Sequence, residues 1–222
     1  MEVEHRILRS PFVARVTRVI CRAKRRNLVE PDGTWDFIFR DCATGAGVLQ
    51  TGQIDRPVEL DCEAGDTYFS IAFKPEVFMP KLPGSAMVRR GIFHSLASRK
   101  TVWVCGERLE IPTFDNVEQF VARLAATGLI ARDPVVGRAV EGSLRRLNDR
   151  TLERHFAAVT GLTGKTLQQV LRANQAVKWL REGHRIADVA ADLGYADQAH
   201  LTHSLRRIMA RTPGQILGQA GL

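Results

Sequence analysis

No run of apolar residues in the 222-residue chain approaches the roughly 18 that a membrane-spanning helix needs. The opening stretch, MEVEHRILRSPF, also lacks the apolar core of a secretory signal, so the expected location is the cytoplasm. Cysteine is scarce: Cys21, Cys42, Cys62 and Cys105 all fall in the N-terminal half without CxxC spacing, which disfavours a zinc knot and suggests reduced thiols. A redox sensor built from two of them is the alternative. The same half holds only His5 and His94, far apart, where a metal site wants converging imidazoles plus a carboxylate. His94 therefore reads as a packed or surface histidine, and no metal or other cofactor is expected. Neither a Gly-x-Ser-x-Gly elbow, a phosphate loop nor a dinucleotide fingerprint is present, so no enzyme chemistry announces itself.

What is present in excess is positive charge, and it is uneven. Residues 134–222 carry 13 Lys and Arg against 7 Asp and Glu, a net +6; residues 1–133 carry 19 against 17, a net +2. A polyanion would be met by the C-terminal part.

That part centres on residues 186–217, IADVAADLGYADQAHLTHSLRRIMARTPGQIL. Ile186, Val189, Ala190 and Leu193 recur at helical spacing, and Ala190 is small enough for a second helix to cross closely. Gly194 is placed to end the first helix in left-handed conformation, where a missing Cβ costs least. Asp197 can accept from the free N–H groups opening the next helix, whose inner face is Leu201, Leu205 and Ile208, with Thr212-Pro213 closing it. The outer face keeps Gln198, Ala199, His200, Thr202, His203, Arg206 and Arg207, a mixture suited to base edges and phosphates. Two ordinary amphipathic helices with a solvated polar face would read the same way.

A repeat shifts the balance toward the first. Shifted by 49 residues, Arg150 to Leu167 falls on Ala199 to Ile216: Leu152 on Leu201, Phe156 on Leu205, Val159 on Ile208, Thr163 on Thr212 and Leu167 on Ile216. Between the copies, Leu167, Val170, Leu171, Val177 and Leu180 form one stripe on a helix of roughly 15 residues ending at Gly183, a stiff connector. DRTLERHFAAVTGLTGKTL together with the segment from Ile186 to Leu217 resembles the AraC/XylS-type bacterial transcription regulators, whose C-terminal domain joins two helix-turn-helix motifs by a long helix. The resemblance covers roughly residues 135–217. It implies base-reading positions at Arg150, Glu153 and Arg154 in the first motif and at Gln198, Ala199, His200, Thr202 and His203 in the second. The first motif departs from the pattern: its usual turn glycine is Arg146, so the helix before its recognition helix must be short or irregular. Lys165, Arg206 and Arg207 are the expected phosphate contacts, and His155, His200 and His203 are further candidate donors to bases or phosphates.

The N-terminal half reads as short strands separated by turns, the pattern of a small barrel or jelly roll. Residues 12–22 read as a strand with one wet face, followed by the basic run Arg22, Lys24, Arg25 and Arg26, either a solvated loop or extra phosphate contacts. Pro31-Asp32-Gly33 is a turn leading into the alternation Trp35, Phe37, Phe39. Gly45 to Ile54 is glycine-punctuated, Val58 to Leu60 and the TYFSIAFKP segment are strands around the Ala64-Gly65-Asp66 turn, and Pro75 to Leu82 suits one or two helical turns. Asp115-Asn116-Val117-Glu118 has the capping-box arrangement opening a helix with the apolar face Val117, Phe120, Val121 and Leu124, ended by Gly128. Such a helix either packs on the barrel or pairs two subunits. By the resemblance, the barrel is a cupin-like sensor.

The expected fold is thus α+β: a β-rich, cupin-like (jelly-roll) sensor domain over 1–110, a connecting helix over 111–133 and an all-α double helix-turn-helix domain over 134–222. The expected partner is double-stranded DNA, bound by two recognition helices in adjacent major grooves, with a small-molecule effector and a homodimer as further partners and no membrane. Rival readings are a cupin-like enzyme tethered by the helical domain and a DNA binder without sequence preference.

Overall fold

The computed structural model describes residues 1–43, 45–87, 90–143 and 150–219. Its N-terminal region is β-rich and its C-terminal region helical. The strands are β1 (Glu2–Arg6), β2 (Val13–Ile20), β3 (Arg25–Val29), β4 (Trp35–Cys42), β5 (Gly45–Thr51), β6 (Val58–Cys62), β7 (Thr67–Phe73), β8 (Val77–Phe78), β9 (Gly91–His94), β10 (Leu96–Ser98), β11 (Thr101–Val104) and β12 (Glu107–Glu110). After helix α1 (Val117–Ala126), β13 (Ala131–Arg132) returns to pair with β8. The helical region follows as α2 (Pro134–Val140), α3 (Arg150–Thr160), α4 (Gly164–Arg181), α5 (Ile186–Asp192), α6 (Gln198–Met209) and α7 (Pro213–Gln219).

The main sheet runs β1-β2-β7-β4-β5-β9 with every neighbouring pair antiparallel. Alternation along β4 divides its residues between two faces. Trp35, Phe37 and Phe39 are buried on one face, against Val102 and Leu109 of the β10-β11-β12 sheet and Phe120, Val121 and Leu124 of α1. Their rings meet edge to face: Phe120 lies 6.2 Å from Phe37 and 5.7 Å from Phe39. Each buried ring of this kind is worth about 1.5–3 kcal/mol of transfer free energy. Helix α1 therefore packs on the β-rich region.

Asp36 and Ile38 alternate with those rings and take the opposite face. Together with Leu49 of β5 and Val58 and Leu60 of the antiparallel β3–β6 ribbon, they line a cavity of about 330 Å³. The mouth stays apolar, for Phe93, Leu60 and Val29 at its edge are all exposed.

Several expectations are corrected. The basic run is solvated as expected but only partly loop: Arg25 and Arg26 open strand β3, and the exposed cations meet carboxylates of the same region, Arg22 with Glu2, Lys24 with Glu63, and Arg26 with Asp61 and Glu59. The glycine-punctuated stretch is mostly strand β5, because its partners β4 and β9 supply both ladders. Pro75 to Leu82 is not helical but a two-residue strand and the isolated bridge Met79–Leu82, held by β13 and by the Trp35 indole donating to Val77 O at 2.7 Å. The capping box is not made: Asn116 Oδ1 accepts instead from the Thr113 amide at 2.7 Å, and Glu118 pairs with Arg6 at 2.9 Å. The reading of His94 stands, on its packed side: it is bonded to Gln50 Oε1 at 3.0 Å, and burial lowers its pKa against a hydrogen bond to the Trp103 backbone.

Candidate nucleic-acid interface

The second motif is assembled by its turn. Gly194 takes φ +69° past the end of α5, and the amides of Gly194 and Tyr195 bond back to Ala191 O and Ala190 O at 3.1 and 2.9 Å. Asp197 Oδ1 accepts from the His200 amide at 2.7 Å and opens α6. Tyr195 is buried between the helices, with the Arg172 guanidinium 4.3 Å above its ring and bonded to Gly194 O at 3.3 Å. The inner face of α6 then packs as the repeat demands, Leu201, Leu205, Ile208 and Met209 lying within a core shared with Val170, Ala173, Val177 and Leu180 of α4. Neither Arg172 nor Tyr195 stands out in the sequence, since their roles come from a turn and a helix packed together across more than 20 residues.

The repeat persists in detail. Thr163 Oγ1 accepts from the Thr166 amide at 3.1 Å and Thr212 Oγ1 from the Gln215 amide at 3.3 Å, so each copy's exit threonine caps the helix after it. Thr212-Pro213 thus opens α7, while α6 ends at Ala210 in left-handed conformation with φ +55°. Phe156 and Val159 of α3 and Leu167 of α4 are buried like their counterparts, but in a separate core completed by Val136 and Ala139 of α2 and by Phe78 of β8. The helix preceding α3 among the described residues is the seven-residue α2, capped by Asp133. The expected turn position Arg146 lies outside the described residues.

The candidate base readers are distributed as follows. Arg150, Glu153 and Arg154 are exposed on α3. Gln198, Ala199, Thr202, His203 and Arg206 border one shallow groove on α6, with Thr202 half-buried and its hydroxyl donating to Gln198 O at 2.8 Å. His200 is exposed, yet its ring stands edge-on to Tyr195 and its Nδ1 accepts from the Ala196 amide at 3.2 Å, which leaves the proton of the neutral ring on Nε2. His155 is turned away from the polar face: its Nε2 meets Asp133 Oδ2 at 2.8 Å, while Asp133 Oδ1 caps α2 at 3.0 and 2.8 Å. Of the phosphate candidates, Lys165 is exposed on the first turn of α4. The two arginines part company: Arg206 joins the α6 groove, whereas Arg207 donates to Gln169 Oε1 on α4 at 2.8 Å and borders a hollow with Asp55 and Arg56 of the β-rich region.

The helix-turn-helix α5–α6 and the repeated helix α3, joined by α4 and each with an exposed polar face, form the arrangement of a DNA-binding domain. A family model described as a helix-turn-helix domain matches residues 146–219, from just before α3 to the end of α7. No curated protein matches the chain. Among solved structures, ToxT from Vibrio cholerae in a P21 crystal form is similar at 10% identity and TM-score 0.46, over 98% of both chains. ToxT from Vibrio cholerae O395 is similar at 12% identity and TM-score 0.45, again over 98% of both. The O395 protein bound to (E)-4-(8-methylnaphthalen-1-yl)but-3-enoic acid gives 9% identity and TM-score 0.46, over 99% of this chain and 100% of that one. No helix among the described residues is long and apolar enough to cross a membrane.

Proposed function

We propose that the chain is a sequence-specific transcription regulator that reads DNA with α3 and α6 and is controlled by a small molecule in its β-rich region. The observation that carries the reading is the 49-residue duplication, which recurs down to the Thr163 and Thr212 caps and leaves polar faces exposed on both α3 and α6. Helix α4, at 18 residues about 27 Å long, separates the two units. Two reading helices on such a spacer suit successive major grooves, roughly 34 Å apart on one side of the duplex, so that one subunit covers an asymmetric site. Arg150, Glu153, Arg154, Gln198, Ala199, His200, Thr202 and His203 are the proposed base readers, an arginine of α3 pairing with guanine O6 and N7. Lys165, Arg206 and Arg207 are the proposed phosphate contacts. Control by a small molecule is supported by the cavity of about 330 Å³, which lies within the range of ligand pockets and has a mostly apolar lining with a few convergent polar groups.

The test is selection of duplexes from a random pool by the full chain, followed by binding in competition with unselected duplex. A reader of bases prefers its own site by about 10³-fold or more. Equal affinity for selected and random duplexes overturns the reading.

A further inference from the structure

The loop 30–34, between β3 and β4, has two working sides. On one, Glu30, Asp32 and Thr34 line the cavity, and Asp32 Oδ2 accepts from Arg15 at 2.6 Å. On the other, the loop lies against α4 and the end of α6. Pro31 O accepts from Asn174 Nδ2 at 2.7 Å. Gly33, at φ +81°, comes so close that an added Cβ would meet Leu171 Cδ2 at 3.0 Å and Leu167 Cδ1 at 3.3 Å. The Glu30 carboxylate takes Arg211 at 3.1 Å and Arg181 at 3.9 Å. Leu167 and Leu171 belong to the core that seats α3, and Arg211 follows the last turn of α6, so both reading helices bear on this loop.

A second strip runs the same way. Gly52, in the cavity lining, donates to Arg90 O at 3.1 Å and leaves no room for a Cβ beside Met87 O. Three residues before Met87, Gly84 abuts the backbone of Thr160 and Gly161 at the end of α3.

We propose that the loop 30–34 is the wall through which occupancy of the cavity is felt by α3 and α6. An occupant bearing on Asp32 or Thr34 drives Pro31 and Gly33 against α4 and shifts Glu30 relative to Arg181 and Arg211. Asn174, outside the cavity lining, is a positioning residue in this scheme, while Glu30 borders the cavity and passes its displacement on through Arg181 and Arg211. By linkage, DNA binding then changes the affinity of the cavity for its occupant by the same factor. The proposal rests on the reading of the helical region as DNA-binding and of the cavity as a ligand site, and deepens it.

The experiment needs no ligand. Leu49→Trp places an indole in the cavity of the full chain, and Glu30→Gln with Asn174→Ala loosens the wall. Affinity for the best selected duplex is measured for the wild type, each set alone and both together. The expected result is a shift of about 5-fold or more from Leu49→Trp that falls to within about 2-fold in the loosened background. The same shift in both backgrounds, or none in the intact one, overturns the proposal. Where Leu49→Trp lowers the melting temperature, Ile38→Phe, a smaller addition to the same lining, replaces it with the same outcomes. Failure of the wild type to prefer any duplex is a different result and sinks the DNA-binding reading itself.

Discussion

Replacing Gly84 by alanine probes how tightly the β-rich region holds the first reading helix. A Cβ at that position would lie 2.5 Å from Gly161 N, 2.5 Å from Val159 O and 2.6 Å from Thr160 C, all backbone atoms. Ordinary contact begins near 3.4 Å, so the two segments must part by close to an ångström. Neither side has a flexible chain end to move aside. Overpacking of this kind costs about 1–3 kcal/mol. For a chain of this size that is a fall of roughly 2–10 °C in melting temperature. Gly214→Ala is the control, because open space surrounds that position. Thermal unfolding of the two variants side by side decides the matter; a Gly84→Ala midpoint matching that of Gly214→Ala would mean the contact is not made. Since Val159 is part of the core under α3, Gly84→Ala should also weaken duplex binding more than Gly214→Ala does.

Three further outcomes are expected. Arg154→Ala should relax preference at one base pair, costing about 1–3 kcal/mol there, while Arg206→Ala weakens all duplexes alike and reduces the salt slope; equal losses from both on matched and mismatched duplexes at several salt concentrations would reject that division of labour. Asp36 is pushed from its ordinary 3.8 up to about 7 by burial and by Asp32, against the pull of Arg15. Between pH 4 and 7 the folded chain keeps a proton that the unfolded chain has released, so stability falls as pH rises through that window. Asp36→Asn should accordingly be near neutral at pH 4 and stabilising by roughly 2–4 kcal/mol at pH 8, as read from denaturant titrations at both pH values. Asp197→Ala removes the cap of α6 and should cost about 1 kcal/mol in stability, with the larger loss in duplex affinity if the start of α6 carries the base contacts.

The local devices of the second motif were legible in the residues alone: the left-handed Gly194, the Asp197 cap and the inner stripe Leu201, Leu205, Ile208 all stand where spacing puts them. Position 49 residues upstream carries the same information for α3, because equal spacing of apolar side chains demands equal burial. Exposure of Arg150, Glu153 and Arg154 follows from the same periodicity. The strand alternation Trp35, Phe37, Phe39 was equally plain, whereas Gly45 to Thr51 and Pro75 to Leu82 were not, since strand formation there depends on partners distant in sequence.

What the amino-acid order determined, then, is every feature governed by neighbours within a turn or two: caps, helix ends, amphipathic faces and the duplicated unit. Tertiary structure alone decided which of the polar groups are spoken for. His155 faces Asp133, Arg207 reaches Gln169, and Glu30 meets Arg181 and Arg211. Those partners lie 22 to 181 residues apart in the chain, and a charge or a lone pair carries no mark of the partner that folding will bring to it.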